Sequence, residues 1–301
     1  MKYDSQFAKK IEAGEFIITA ELLPQASTTT QEIKALTALF KKSITAVNVA
    51  DNPHGPIMSS LAGSLTLKQA DLEPVYQIVT RDRNRIAIQS DLLGAAALGI
   101  RNVLCLSGHH QALTRSYQSA NVYDIDSIQL IVTLKKMRDE SLLLNGTEIK
   151  GDFPVLIGAA ASPDMKPIEL NIMRLSKKVE AGADFIQTQA VFDIKTFEKW
   201  LDQARSEKLT AKTAIMAGVM PLDSAEEAEV LRDKYTDLSI PDSVVNRLKE
   251  AGNEAAQKKE GLAICVETIK MIKEMDGVRG IHILSGGKEN MVPEIIAQSE
   301  L

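Results

Sequence analysis

An alternation of short apolar runs with amphipathic helical patterns is the feature of this sequence that most constrains its fold. The runs are rich in Val, Ile and Ala and are nearly uninterrupted, which is typical of parallel strands buried on both faces. Eight of them lie at Phe16–Leu23, Ile44–Ala50, Val75–Thr80, Asn102–Leu106, Val155–Ala160, Phe185–Thr188, Thr213–Val219 and Gly280–Leu284. A helical pattern follows each of the first seven, and this order predicts an α/β fold, a closed (β/α)8 TIM barrel.

The length and the charge fit this prediction and exclude several function classes. The chain has 301 residues, which suits a single barrel domain over residues 1–301. Extra helices are expected before the eighth strand, because Ala225–Met275 is longer than a barrel connection needs. The net charge is −5, with acidic and basic residues interspersed, so nucleic acid is not an expected partner. The apolar stretches are too short for a membrane span.

The N-terminus, the cysteines and the histidines predict a cytoplasmic protein without a metal site. Residues 1–6 carry charge but no apolar core of a signal peptide. Cys105 and Cys265 lie far apart, as expected of small buried hydrophobic residues in a reducing compartment. The histidines lack the spacing of metal ligands. They are His54, His109, His110 and His282.

Glu21 is the first candidate for chemistry, because active sites of TIM barrels lie where the strands end. It stands near the end of the first predicted strand, between apolar neighbours. Burial there disfavours the charged carboxylate and raises its pKa toward the range that suits a general acid. The alternative is a structural carboxylate that pairs with a neighbouring strand.

Two further groups of residues lie at predicted strand ends. Gly108-His109-His110 follows the fourth strand, where glycine permits a close backbone approach. A histidine at this turn is a base, a metal ligand, a group that stacks on a ring, or a solvated loop residue. After the third strand, Arg81 and Arg83 are candidates for binding an anion, with a solvated charged face as the alternative.

A basic helix face is the last candidate. Arg174, Lys177 and Lys178 are three and four residues apart, which places them on one face of a predicted helix. They are either a phosphate clamp or an exposed basic surface. The glycine patterns of P-loops and Rossmann folds are absent from the sequence, so a dinucleotide would lie across the barrel mouth.

Several segments, taken together and in order, resemble the 5,10-methylenetetrahydrofolate reductase family. The similarity runs from about Gly14 to Leu284. Its segments Asn48–Asn52 and Val122–Ser127 look most like the branch of anaerobes such as acetogens. The segments are Glu21–Pro24, Arg81–Asn84, Gln89–Gly94, Leu104–Gly108, Lys177–Ala183, Gln187–Gln189, Phe192-Asp193 and Gly218–Pro221. This family consists of flavin-dependent barrels of one-carbon metabolism, which serve methionine biosynthesis.

The resemblance implies an activity and its partners. The reaction would be reduction of 5,10-methylenetetrahydrofolate to 5-methyltetrahydrofolate by hydride transfer from N5 of a reduced flavin, FAD rather than FMN. The substrate would be a tetrahydrofolate derivative, the electron donor NAD(P)H or a redox partner subunit, and the protein an oligomer.

The resemblance also implies residue roles. Glu21 would be the catalytic acid that protonates folate N10, and Gln189, His109 and Glu21 would contact the substrate. The flavin-binding residues would be Ala50, Gln77, Ser107, Gly108, His109, Tyr123, Arg174, Lys177 and Lys178.

The sequence departs from the family near the flavin. The family usually has Gly-Asp where this chain has Gly108-His109, and that aspartate contacts the pterin and tunes the flavin. Ala50 replaces a threonine of many members, Gln77 a histidine of some, and Ala225 an aromatic residue of some. These departures leave two alternatives open. One is a paralogue that binds folate or a methyl carrier without reducing it, as a methyltransferase component or partner subunit; the other is a flavoprotein with a different acceptor.

Overall fold

The computed structural model describes residues 3–40 and 43–301. Met1 and Lys2, which belong to the segment without an expected signal peptide, lie outside the described residues. In the described part of the chain, no helix combines the length and apolarity needed to cross a membrane.

Eight parallel strands form a closed barrel in the order β1 to β8, with β8 paired to β1. The strands are β1 Ile17–Leu22, β2 Ala46–Val49, β3 Pro74–Val79, β4 Asn102–Leu106, β5 Leu156–Ala161, β6 Phe185–Ala190, β7 Ala214–Val219 and β8 Val278–Ile283. The predicted fold class is therefore confirmed, and the strand limits agree within two residues.

Strand β6 is two residues longer at its C-terminal end than the sequence predicts. The predicted strand stopped at Thr188, but β6 continues to Ala190 through a register shift against β7. The Thr188 hydroxyl accepts from the Gly218 amide at 2.8 Å, so a side chain partly replaces the regular ladder there. The extension places Gln189 at the barrel mouth, because it keeps this residue within the strand.

The helices surround the barrel as the alternation predicts. They are α1 Gln6–Ala13, α2 Thr30–Phe40, α3 Ser60–Gln69, α4 Arg85–Ala97, α5 Ser127–Asp139, α6 Ile168–Ala181, α7 Ile194–Ser206, α8 Ala225–Lys234, α9 Asp242–Ala251, α10 Glu254–Lys273 and α11 Val292–Gln298. Short 3₁₀ turns lie at Thr80–Asp82, Gln111–Leu113 and Glu289–Met291. The expected extra helices before β8 are α8, α9 and α10.

Helix α1 closes the end of the barrel where the strands begin, and the sequence analysis missed it. Ser5 caps this short helix by accepting from the Ala8 amide at 2.9 Å. Phe7 is fully buried, and its ring centroid lies 4.8 Å from that of Phe185, the first residue of β6. Phe7 packs in a cluster with the residues that begin several strands, such as Ile17. A ligand therefore enters from the opposite end.

Helix α10 packs on the loop that leads from β7 into α8. Gly261 of this helix is buried against the backbone of Leu222, and a Cβ built on Gly261 would lie 1.8 Å from the Leu222 carbonyl oxygen. This contact sets the position of the helices between β7 and β8, because the close approach requires a glycine.

We expect Gly261→Ala to lower the free energy of unfolding by about 1–3 kcal/mol, the usual cost of overpacking. Gly94→Ala is the matched control, since Gly94 also lies within a helix but has no atom within 4 Å of an added Cβ. Alanine should stabilise that helix by about 0.5–1 kcal/mol. Urea unfolding followed by circular dichroism checks both, and equal effects of the two substitutions would refute the packing argument.

Candidate active site

A cavity of about 450 Å³ opens at the ends of the barrel strands. Its size falls in the range of small-molecule sites, about 300–1,000 Å³. The cavity brings together most of the predicted site residues. Those that line it are Glu21, Ala50, Gln77, Ser107, Gly108, His109, Arg174, Lys178 and Gln189.

Glu21 on β1 has a carboxyl group that favours its protonated form. Burial raises its pKa to about 7, the charge of Glu289 adds to this rise, and a hydrogen bond with the side chain of Gln77 opposes it. The ion pairs found among residues 3–40 and 43–301 do not include Glu21. The geometry therefore favours a proton donor over the alternative of a salt-bridged structural carboxylate.

A polar layer fills the barrel interior beneath Glu21. Thr19 lies two residues before Glu21 on β1, so both side chains point to the same side of the strand. The Thr19 hydroxyl lies 2.9 Å from His282 Nδ1, and Gln187 Nε2 donates to the hydroxyl at 3.0 Å. Asn48 and Gln187 exchange hydrogen bonds of 2.7 and 3.1 Å. These contacts hold the floor of the cavity rigid.

His282 belongs to this layer and lines the cavity. Burial lowers its pKa to about 3, so the ring is neutral at physiological pH. Sequence analysis had assigned no role to His282, because its partners Thr19 and Gln187 lie far away in the chain.

At the turn after β3, Arg81 and Arg83 bind protein groups, which differs from the expectation that one of them binds an anionic ligand. The guanidinium of Arg81 is buried and donates to Asp82 and to the His109 and Asn52 carbonyl oxygens at 2.7–3.0 Å. Arg83 makes two hydrogen bonds with Asp51, of 2.6 and 3.1 Å. Both arginines are engaged in holding loops together.

The Gly108-His109-His110 turn separates two histidines with different surroundings. Gly108 has φ +80°, and a Cβ there would lie 2.4 Å from Val79, so the turn needs glycine. The half-exposed His109 side chain lines the cavity. His110 instead accepts from the Ala112 amide at 3.2 Å within the loop.

Residues 235–238, in the connection between α8 and α9, form one wall of the mouth. Tyr235, Asp237 and Leu238 line the cavity, and the Tyr235 ring centroid lies 5.5 Å from that of His109. We call this stretch the mouth segment. The sequence analysis missed it, because a polar loop in a helical insertion resembles any solvated connection.

Asp237 is the ionised group of the mouth segment. Its carboxylate accepts from Ser162 Oγ and Gln189 Nε2, each at 3.3 Å. His109 Nε2 lies 3.9 Å from the other carboxylate oxygen. Burial works to raise the pKa of Asp237, but its interactions with His109, together with hydrogen bonds from its own backbone amide and from Ser162, keep the pKa below its usual value.

Only two of the three predicted cations of helix α6 line the cavity. Arg174 and Lys178 line the cavity, whereas Lys177 lies outside the lining. Lys178 Nζ donates to the Ala160 carbonyl at 2.6 Å. Burial and then the charge of Arg174 lower the pKa of Lys178 to about 8. The expected clamp of three cations thus consists of two at the cavity.

Two other predicted positions also lie outside the lining. The Tyr123 hydroxyl donates to the Gly108 carbonyl at 3.1 Å, so this side chain buttresses the turn after β4. Ala225 is buried at the start of α8 in a separate apolar cluster with Leu222.

The cavity chemistry fits a flavin better than a metal ion. Within residues 3–40 and 43–301, no group of three or more His, Cys, Asp or Glu side chains could hold a metal ion. Arg174 and Lys178 line the same cavity as the apolar side chains of Leu104, Leu106 and Ala160, and Lys178 Nζ contacts the Ala160 carbonyl. Cations beside an apolar surface suit a flat ring system that carries phosphates.

The chain is similar in sequence to proteins named methylenetetrahydrofolate reductase. A "Probable methylenetetrahydrofolate reductase (NADPH)" of Caenorhabditis elegans is 26% identical over 243 residues, which are 79% of this chain and 34% of that protein. A 5,10-methylenetetrahydrofolate reductase of Buchnera aphidicola subsp. Schizaphis graminum is 26% identical over 200 residues, 65% of this chain and 61% of that protein. The chain thus spans about a third of the nematode relative.

One solved structure and one protein family also match nearly the whole chain. An uncharacterized protein from Clostridium thermocellum, described as binding two copies of 5-methyl-5,6,7,8-tetrahydrofolic acid, has a TM-score of 0.67 at 16% identity over 98% of each chain. At this identity the likeness shows the fold alone. The family described as methylenetetrahydrofolate reductase matches residues 6–300. Because this match covers nearly the whole chain, the protein belongs to the methylenetetrahydrofolate reductase family.

Proposed function

We propose that this protein reduces 5,10-methylenetetrahydrofolate to 5-methyltetrahydrofolate with a reduced flavin as the hydride donor. The observation that carries the proposal is Glu21, a carboxyl group with a pKa of about 7 in the lining of the barrel-mouth cavity. Membership of the family supports it. The folate bound by the structural neighbour from Clostridium thermocellum is consistent with the same substrate class.

Glu21 would act as the general acid. Its carboxyl group, with a pKa raised to about 7, is partly protonated near neutral pH and would deliver its proton to N10 of the folate as the five-membered ring opens. The neighbouring Gln77 orients the carboxyl group by hydrogen bonding. Gln189, at the end of β6, would hydrogen-bond the substrate from the other side of the barrel.

Arg174 and Lys178 would hold the phosphates of the flavin, with FAD favoured over FMN. Ala50, Gln77 and Ser107 line the cavity where the ring system would bind. When bound, the reduced flavin supplies the hydride for the methylene carbon of the substrate. The electron donor would be NAD(P)H or a redox partner subunit.

The alternative of a folate-binding paralogue without reductase activity depends on the loss of the aspartate after β4. The structure weakens this argument, because Asp237 lies beside His109 and presents a carboxylate at the same mouth. The presence of Glu21 with a raised pKa also favours reduction, since binding alone needs no proton donor.

We expect Glu21→Gln to slow folate reduction by ~10²–10⁴-fold, the usual contribution of a general acid. Glutamine keeps the size and polarity of the side chain but cannot deliver the proton. Reduction of the bound flavin by the electron donor should continue at the wild-type rate. Anaerobic stopped-flow absorbance measures the two half-reactions separately, and wild-type folate turnover in the variant would remove Glu21 from the mechanism.

The pH profile gives a second test of Glu21. Because the acid must be protonated, kcat/KM for folate should be constant at lower pH and fall as the pH rises above about 7, the pKa of Glu21. The residual activity of Glu21→Gln should lack this limb. A limb that persists unchanged in the variant would assign the titration to another group.

A third prediction separates the two cations at the cavity from the third. Arg174→Gln should weaken FAD binding by roughly 10-fold or more, since hydrogen bonds to charged groups contribute about 1.5–3 kcal/mol. Lys177→Gln is the matched control and should bind FAD like the wild type, because Lys177 is exposed outside the lining. Titration of the apoprotein with FAD, followed by calorimetry, measures both. Equal losses would contradict the assignment of Arg174.

A further inference from the structure

The mouth segment, residues 235–238, contributes polar and aromatic groups to the cavity from outside the barrel strands. Tyr235, Asp237 and Leu238 all line the cavity. The Asp237 side chain is only 18% exposed, which is low for a carboxylate in a connecting loop. Desolvation of a charged group is costly, so a carboxylate in this position is expected to have an interaction that offsets the cost.

The contacts of Asp237 leave part of its acceptor capacity unused. Both side-chain hydrogen bonds, from Ser162 Oγ and Gln189 Nε2, meet the same oxygen, Oδ2, at 3.3 Å. His109 Nε2 lies 3.9 Å from Oδ1, which is an ion-pair distance and too long for a hydrogen bond. A carboxylate has about four acceptor positions, so a ligand in the cavity can still donate to this one.

The groups around Asp237 favour a flat ligand with donors on one edge. The rings of Tyr235 and His109 lie 5.5 Å apart by their centroids and supply aromatic surface at the mouth. Gln189 adds a carboxamide, which both donates and accepts. Rings bind the face of a planar heterocycle, whereas a carboxylate binds adjacent N–H groups on its edge.

We propose that Asp237 binds the substrate directly, by accepting hydrogen bonds from the ring N–H and the amino group of the folate's aminopyrimidinone ring. This assignment rests on the proposed function, since it takes a folate as the ligand. It makes the mouth segment, which belongs to the helical insertion before β8, the determinant of specificity for that ring. His109 contributes by keeping the carboxylate charged, because its imidazole faces Oδ1.

The competing explanation is that Asp237 has a purely structural role. Through its hydrogen bonds with Ser162, which follows β5, and Gln189 of β6, it would hold the mouth segment in place. We call this role a latch. A latch would matter equally for every ligand of the cavity. A direct acceptor would matter most for ligands that carry the matching donors. The two roles therefore differ in how the effect of a substitution depends on the ligand.

The test measures binding of tetrahydrofolate and of its 2-desamino analogue, which lacks the amino donor, to flavin-loaded protein by anaerobic calorimetry. We expect Asp237→Asn to weaken tetrahydrofolate binding by roughly 10- to 100-fold, the range for losing hydrogen bonds to a charged group. The same substitution should weaken binding of the analogue several-fold less. Asp237→Glu, which keeps the charge, should retain preference for the amino-bearing ligand.

Asp233→Asn is the matched control. Asp233 is an exposed carboxylate in the last turn of α8, outside the cavity lining, and its substitution removes the same charge. It should leave the affinities for both ligands at the wild-type values. Flavin absorbance and thermal unfolding of each variant verify that the cofactor site and the fold persist.

The outcomes separate the proposal from the function on which it rests. Equal weakening of both ligands by Asp237→Asn would identify a latch and overturn the proposal, and so would unchanged affinity for tetrahydrofolate. In either case wild-type binding of tetrahydrofolate would leave the proposed function standing. A wild-type protein that binds neither ligand would refute the proposed function, and the role of Asp237 with it.

Discussion

Closure of the eight-stranded sheet is the constraint on which the rest of this structure depends. Pairing of β8 with β1 satisfies the backbone hydrogen bonds of both strands and leaves the barrel without an edge. The side chains that point inward must then fill a fixed volume. Phe7 and Phe185 fill one end, where α1 packs against the strands. The other end stays open, and the cavity forms there.

The polar layer under the cavity shows how an apolar scaffold supports an ionisable group. Thr19, Asn48, Gln187 and His282 satisfy one another by hydrogen bonding, so the interior contains polar groups without a net charge. No cation among residues 3–40 and 43–301 pairs with Glu21 above this layer, and burial raises its pKa to about 7. The same burial that would cost stability if the group were ionised thus produces a proton donor at neutral pH.

Charges at the barrel mouth divide into those that hold loops and those that face the cavity with acceptor or donor capacity. Arg83 and the buried Asp51 form an ion pair, which positions the turn after β3. Asp237 and Arg174 belong to the second group, because both line the cavity. In our proposals Asp237 accepts from the N–H groups of an uncharged heterocycle, and Arg174 holds phosphates. His109 follows β4, and the insertion before β8 brings the carboxylate of Asp237 to 3.9 Å from its Nε2.

The sequence by itself determined the fold, because strand and helix patterns are local and an eightfold alternation admits few architectures. It also located Glu21 and the Arg174/Lys178 spacing, since both follow from position within one element. Only the tertiary structure decided that Arg81 is engaged by loop carbonyls and that Asp237 meets His109 and Gln189. These contacts join residues far apart in the chain. Their partners depend on how the closed barrel and the inserted helices pack, which local patterns do not encode.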